Sequence, residues 1–220
     1  MKKVFWRFGL SLVMGIILGA NLYGAEIAKI SYFATITVKV TALKIPKSVL
    51  NKFVSPGKKM ITKPTSIDAD KLVQSLKSLQ EKNKVSILEK IEVITLDGKP
   101  TTYNHLKDIL YMEKAGKDTF KLKRMIRKNG KGIFFKCTPT LTKDGKIKVD
   151  YELIIREIIE RMPVEGAEGL DIGSPIFSIK ESQSSIVLEE GKPQVANVSG
   201  SSDQYFLVIL TANKGANNNE

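Results

Sequence analysis

An α+β fold, mostly antiparallel strands with one amphipathic helix, is what the sequence predicts, and three observations predict it. Tyr32–Ile45 alternates apolar and polar residues as a half-buried strand does. Leu72, Leu76 and Leu79 recur at helical spacing. From Val85 to Thr211, short β-branched and aromatic runs are separated by Asp-Gly and Glu-Gly-Lys turn signals. With 220 residues, 42% hydrophobic and 26% charged, the chain can build one good core or two small ones.

In the first strand Ile36, Val38, Val40 and Ala42 share one face, and Thr35, Thr37, Lys39 and Thr41 the other. Pro46 ends it, and residues 51–64 read as a loop turning at Ser55-Pro56-Gly57. The helix spans Asp68–Lys82, with Ser66 as its N-cap, Asp68 and Asp70 complementing its positive end, and Val73 beside the leucines. Leu72, Leu76 and Leu79 pack on a sheet. Val85–Leu96 is a strand closed by Asp97-Gly98. Ile133–Cys137 and Ile147–Leu153 form a hairpin around Lys143-Asp144-Gly145-Lys146. Ile154–Met162 fits a strand continuation or a short helix. Ile176–Leu188, Val195–Val198 and Tyr205–Thr211 complete the strands, with Glu190-Gly191-Lys192 as a turn. The Asn- and Gly-rich stretch 214–220 reads as a disordered tail.

Lys2, Lys3 and Arg7, then an uncharged run centred on Leu10–Leu18, then Gly24-Ala25, read as a signal peptide over residues 1–24. An uncleaved N-terminal anchor is the alternative; the apolar run is short of the about 20 residues of a spanning helix. Residues 25–213 then form a single exported domain in the periplasm or outer membrane. The formal net charge of +12 falls by three with the signal. Outside the cytoplasm such charge points to anionic lipid, cell-wall polymer or an acidic partner rather than to nucleic acid. The single Cys137 lies in an alternating run and reads as a buried, inert thiol.

Catalytic chemistry has no foothold. One histidine, His105, and one cysteine exclude the usual zinc ligand sets, so no metal site is expected. No Gly-x-Ser-x-Gly elbow, phosphate loop or dinucleotide fingerprint occurs, and no cofactor is implied. The chain reads as a non-enzyme. Its one candidate site is a cationic stretch within Thr101–Lys131, comprising Lys114, Lys117, Lys121, Lys123, Arg124, Arg127, Lys128 and Lys131. Leu106, Ile109 and Leu110 hint at a helical face there. The segment is either an anionic contact surface or a solvated, mobile loop.

The order of segments resembles that of secretins, the ring-forming outer-membrane channels of type II and type III secretion and type IV pilus systems. Val85-Ser86-Ile87-Leu88-Glu89-Lys90-Ile91-Glu92-Val93-Ile94-Thr95-Leu96-Asp97-Gly98-Lys99 is similar to the family's V-x-V-L-S-x-P-x-V-x-T-x-x-G/N-x, with Ile91 in the place of proline. Gly132-Ile133-Phe134-Phe135-Lys136-Cys137-Thr138-Pro139-Thr140-Leu141, then Asp144-Gly145-Lys146-Ile147, is similar to G-x-x-L-x-V-x-P-x-I…D-G-x-V. Ser185–Lys192 resembles T-x-V-x-V-x-D-G-Q, and Tyr205–Thr211 takes the place of the closing strand, with Ala212 for proline. The resemblance spans about Ile30–Ala212, to a short form without the N-terminal ring domains. It implies a secretin-domain-like fold and homo-oligomerisation by strand pairing, with secretion or pilus apparatus components as partners. The cationic stretch stands where secretins build their gate and membrane hairpins. No readable pair of lipid-facing strands is expected there, since a lysine or arginine at a barrel's midplane costs about 2–4 kcal/mol. A soluble periplasmic module of the same fold without a pore is the alternative.

Overall fold

A computed structural model describes residues 34–54, 64–116, 119–125, 129–164, 172–200 and 203–215. The proposed signal, the Ser55-Pro56-Gly57 turn and the tail beyond Gly215 lie outside these residues. Ten strands form two four-stranded antiparallel sheets and one separate hairpin. The expected α+β class with mostly antiparallel pairing is what the chain adopts.

The first sheet has the order β2-β1-β10-β9, from β1 (Thr35–Pro46), β2 (Ser86–Leu96), β9 (Gln194–Gly200) and β10 (Gln204–Lys214). Its centre joins the first and last strands, from Ile36 opposite Lys214 to Pro46 opposite Gln204. The second sheet has the order β3-β6-β7-β8, from β3 (Thr101–Lys107), β6 (Lys131–Leu141), β7 (Ile147–Arg161) and β8 (Pro175–Leu188). The segment 154–162 is thus strand, not helix, for all but its last residue. It continues the parity of Ile147, Val149, Tyr151 and Leu153, and Ile155 stays buried. A register shift between Ile158 and Glu160 then breaks the alternation, which is why periodicity alone left that stretch ambiguous.

Alternation dictates how the layers stack. Ile36, Val38, Val40 and Ala42 of β1 and Phe206, Val208, Leu210 and Ala212 of β10 meet Ile133, Phe135, Cys137, Val149, Tyr151 and Leu153 in the main core. The odd residues Leu207 and Ile209 point the other way, joining Leu43 and Ile45 under the helices. The first sheet is therefore buried on both faces along part of its length. Its central strand β10 accordingly reads Phe206-Leu207-Val208-Ile209-Leu210, a continuous apolar run rather than an alternating one.

The outer layer is α1 (Lys47–Leu50) and α2 (Ala69–Glu81). Leu72 and Leu76 are buried and Leu79 packs partly buried against the same cluster, but Val73, expected beside them, is exposed. The N-cap is Asp68, not Ser66: its carboxylate accepts from the Lys71 N–H at 3.0 Å, while Ser66 is buried in the 3-10 turn Pro64–Ser66. Asp68 sits one residue before the helical backbone begins, where a side-chain oxygen can reach the third N–H.

The β6–β7 turn holds Gly145 at φ 80°, with Thr142 N–H donating to Lys146 O at 2.9 Å. Pro139 lies in mid-β6, which only one arrangement tolerates. Its missing N–H falls beyond the end of β3, whose last partner is Cys137, and its carbonyl accepts from Gly98 N at 2.8 Å. The buried hydroxyls of Tyr151 and Ser182 satisfy each other, Tyr151 Oη lying 2.8 Å from Ser182 Oγ.

Cys137 is 1% exposed among apolar neighbours, and burial pushes its thiol from the ordinary 9.0 up to about 12. A thiol reagent at pH 8 is expected to label it only in denaturant; labelling of the native chain within minutes would show that this core opens. The folded state holds that proton to higher pH than the unfolded chain does. The stabilising linkage is thus complete below pH 9 and is lost as pH rises toward 12.

Candidate functional site

The described part of the cationic stretch is built of strands. Thr101–Lys131 contains β3, then β4 (Ile109–Lys114) and β5 (Phe120–Met125), then the first residue of β6. The solvated, mobile loop expected there is absent from the described residues of this segment, and so is the helical face. Leu106 is the penultimate residue of β3 and Ile109 opens β4, with Lys107 and Asp108 between them, so the apparent helical spacing crosses the boundary between two strands.

β4 and β5 pair as a hairpin, from Ile109 opposite Met125 to Lys114 opposite Phe120. A strand pair therefore does exist between Gly98 and Gly132. One face carries Leu110, Met112, Phe120 and Leu122, with Lys114 and Arg124 at its two ends; Leu110 and Leu122 are 58% and 64% exposed. The opposite face carries Ile109, Tyr111, Glu113, Lys121, Lys123 and Met125. The lysines between the apolar positions masked a period of two. Their aliphatic stems extend a strand's apolar surface while their charges reach water.

The cations are neither all on one face nor all unpaired. Lys123 lies 3.1 Å from Glu113, and Arg124 pairs with Asp108, its Nε donating at 2.9 Å. Lys114, at the end of β4, is engaged as well. Lys121 is exposed opposite Glu113 on the neighbouring strand. Lys131 is not part of the hairpin: it opens β6 opposite Lys107 of β3. Lys117, Arg127 and Lys128 lie outside the described residues. The hairpin is braced from its other side by Met112 N–H, which donates to the carbonyl of Ile172.

Lys107 and His105 were not among the cations singled out. Both belong to a cleft with Lys131 and Arg156, a grouping that depends on the β3–β6 register and carries no local signal in the sequence. Among the described residues no group of three His, Cys, Asp or Glu could hold a metal ion, and no helix is long and apolar enough to cross a membrane.

No family model matches the chain, and no curated protein is similar to it. Among solved structures the chain is similar to the type II secretin GspD of enteropathogenic Escherichia coli, at 12% identity and TM-score 0.44, over 83% of this chain and 69% of that one. It is similar to InvG, the Salmonella SPI-1 type III secretion injectisome secretin, at 8% identity and TM-score 0.45, over 84% and 65%. It is also similar to PilQ, the Vibrio cholerae type IV competence pilus secretin, at 8% identity and TM-score 0.46, over 84% and 61%. The chain spans 61–69% of the length of these three solved chains.

Proposed function

We propose that this chain is a non-enzymatic structural protein of the cell envelope, exported by its first 24 residues, that assembles by pairing the open edges of its sheets with further copies of itself. Residues 25–213 are the assembling domain and 214–220 a tail. The role is that of a secretin-like component serving a type II or type III secretion or pilus apparatus, docked to its other components, with no nucleic acid bound.

One observation supports it most. β8 runs for 14 residues as a sheet edge, with β7 on one side and no described strand on the other. So long an edge presents a row of free donors and acceptors, a template for strand addition that monomeric proteins shorten or cover. The charge pattern of β4–β5 supports the poreless periplasmic form over an inserted barrel, since each face of the hairpin carries cations. The same cations suit contact with anionic lipid or cell-wall polymer at the envelope surface.

Proline scanning of β8 tests the edge. Successive N–H groups on a strand point to opposite neighbours, so of Gln183→Pro and Ser184→Pro one removes a bond to β7 and the other only an outward donor. The mature chain is expected to elute as a multimer by light scattering. The outward variant is expected to run as a protomer with its melting temperature nearly unchanged, and the other to melt far lower. A mature chain that is monomeric at tens of micromolar ends the edge-pairing reading.

A further inference from the structure

Past Ile155 the space beside the β3–β6–β7 end of the second sheet is lined by charged side chains together with Ile133 and Ile158. A cleft of about 370 Å³ opens there, bounded by Glu89, His105, Lys107, Lys131, Arg156 and Glu157. Lys107 and Lys131 are direct cross-strand partners, and paired residues of an antiparallel sheet share a face. Two like charges so placed weaken the pairing of β3 with β6 unless something negative lies between them. Neither lysine makes an ion pair with a described residue. Of the two carboxylates at the cleft, Glu157 is already bonded to Lys44 at 2.8 Å, leaving Glu89 beside the two lysines.

Gly132 fixes the site's shape. It sits between Lys131 and the buried Ile133 at φ 127°, and a Cβ built on it would fall 2.1 Å from the His105 carbonyl oxygen. The position therefore admits no side chain, which keeps the backbones of β3 and β6 close beside the two lysines. His105 Nδ1 lies 3.3 Å from the Tyr103 hydroxyl, so Nε2 is the ring nitrogen left for a ligand.

We propose that this cleft is a binding site for a phosphate group, held between Lys107 and Lys131 with His105 as a further donor. Lysine supplies a compact charge with three rotatable donors, which suits a tetrahedral oxyanion held from two sides. The cleft is open to solvent, so the group can be carried by a lipid headgroup or by a soluble phosphate. The site is distinct from the β4–β5 hairpin and does not depend on the assembly reading.

The mature chain is titrated with inorganic phosphate at low ionic strength and followed by calorimetry and by backbone amide shifts. Saturable binding is expected, with the largest shifts at His105, Lys107, Lys131 and Gly132. The double variant Lys107→Gln/Lys131→Gln is expected to lose at least about tenfold in affinity, as for removal of charge-assisted bonds, while Lys77→Gln on the exposed face of α2 changes nothing. Its melting temperature is expected to hold or rise, because the repulsion between opposed lysines goes with the charges. Should the double variant fail to fold, phosphate still raises the melting temperature of the parent in proportion to occupancy, with the shifts confined to the cleft. Vesicles of phosphatidic acid, competed by inorganic phosphate, separate the sources: competition marks a lipid headgroup, and phosphate binding without vesicle binding marks a soluble ligand. No saturable phosphate binding by the parent, equal affinity in the double variant, or shifts centred on β4–β5 each overturn the proposal.

Discussion

Replacing Phe135 by alanine is expected to lower stability by about 3–5 kcal/mol, the range for truncating a fully buried aromatic. Phe135 is 0% exposed and lies between Tyr103 on β3 and Leu153 on β7, its direct cross-strand partners. From there it reaches the main core, where the second sheet meets Val38, Val40 and Val208 of the first. Removing the ring both returns apolar area to the unfolded state's advantage and leaves a void that flanking strands cannot close without breaking register. Chemical denaturation should show the midpoint falling with an unchanged slope, the sign of lost stability without a change in the surface exposed. A loss under about 1 kcal/mol would mean that the two sheets do not share one core.

Leu72→Ala is expected to cost about 2–5 kcal/mol and Leu76→Ala somewhat less within that range, with Val73→Ala under about 1 kcal/mol. The order follows burial: Leu72 is 0% exposed, Leu76 7% and Val73 39%. Both leucines seal the second cluster, formed by the odd-numbered residues of β10 with Leu43 and Ile45. That cluster is the only apolar cover over the outward face of the first sheet among the described residues, so helix and sheet depend on each other. Equal and small costs at all three positions would mean that α2 rests on the sheet without packing into it.

These two regions were legible for different reasons. The faces of β1 and α2 were readable because one side of each meets apolar neighbours and the other meets water, which stamps the period on the sequence. The β6–β7 hairpin was readable from Asp144-Gly145, since a positive φ is needed at the turn and glycine supplies it. Its strands run well past the expected ends, to Leu141 and Arg161, because pairing with β3 and β8 continues where local propensity weakens. β4 and β5 were illegible because neither is buried on a whole face, so lysines stand between their apolar residues. The cations were plain as charge but not as places. Lys121 and Lys131 look alike in sequence, and only the register of β6 against β3 puts the second of them opposite Lys107.

The pairing of β1 with β10 sets the timing of folding. Every backbone bond between these two central strands joins the beginning of the described chain to its end. Closing so long a loop must precede any reward from the contacts it brings, which places the step among the slow ones for a domain of this size. During synthesis β1 emerges long before β10, its neighbour at the centre of the sheet. The β10 side of Ile36, Val38, Val40 and Ala42 stays open until that last strand has cleared. The topology thus delays completion of the first sheet until residue 214 is available, which suits the export proposed above, since the polypeptide stays threadable until then. The same delay makes β1 the segment in greatest need of a chaperone at that stage.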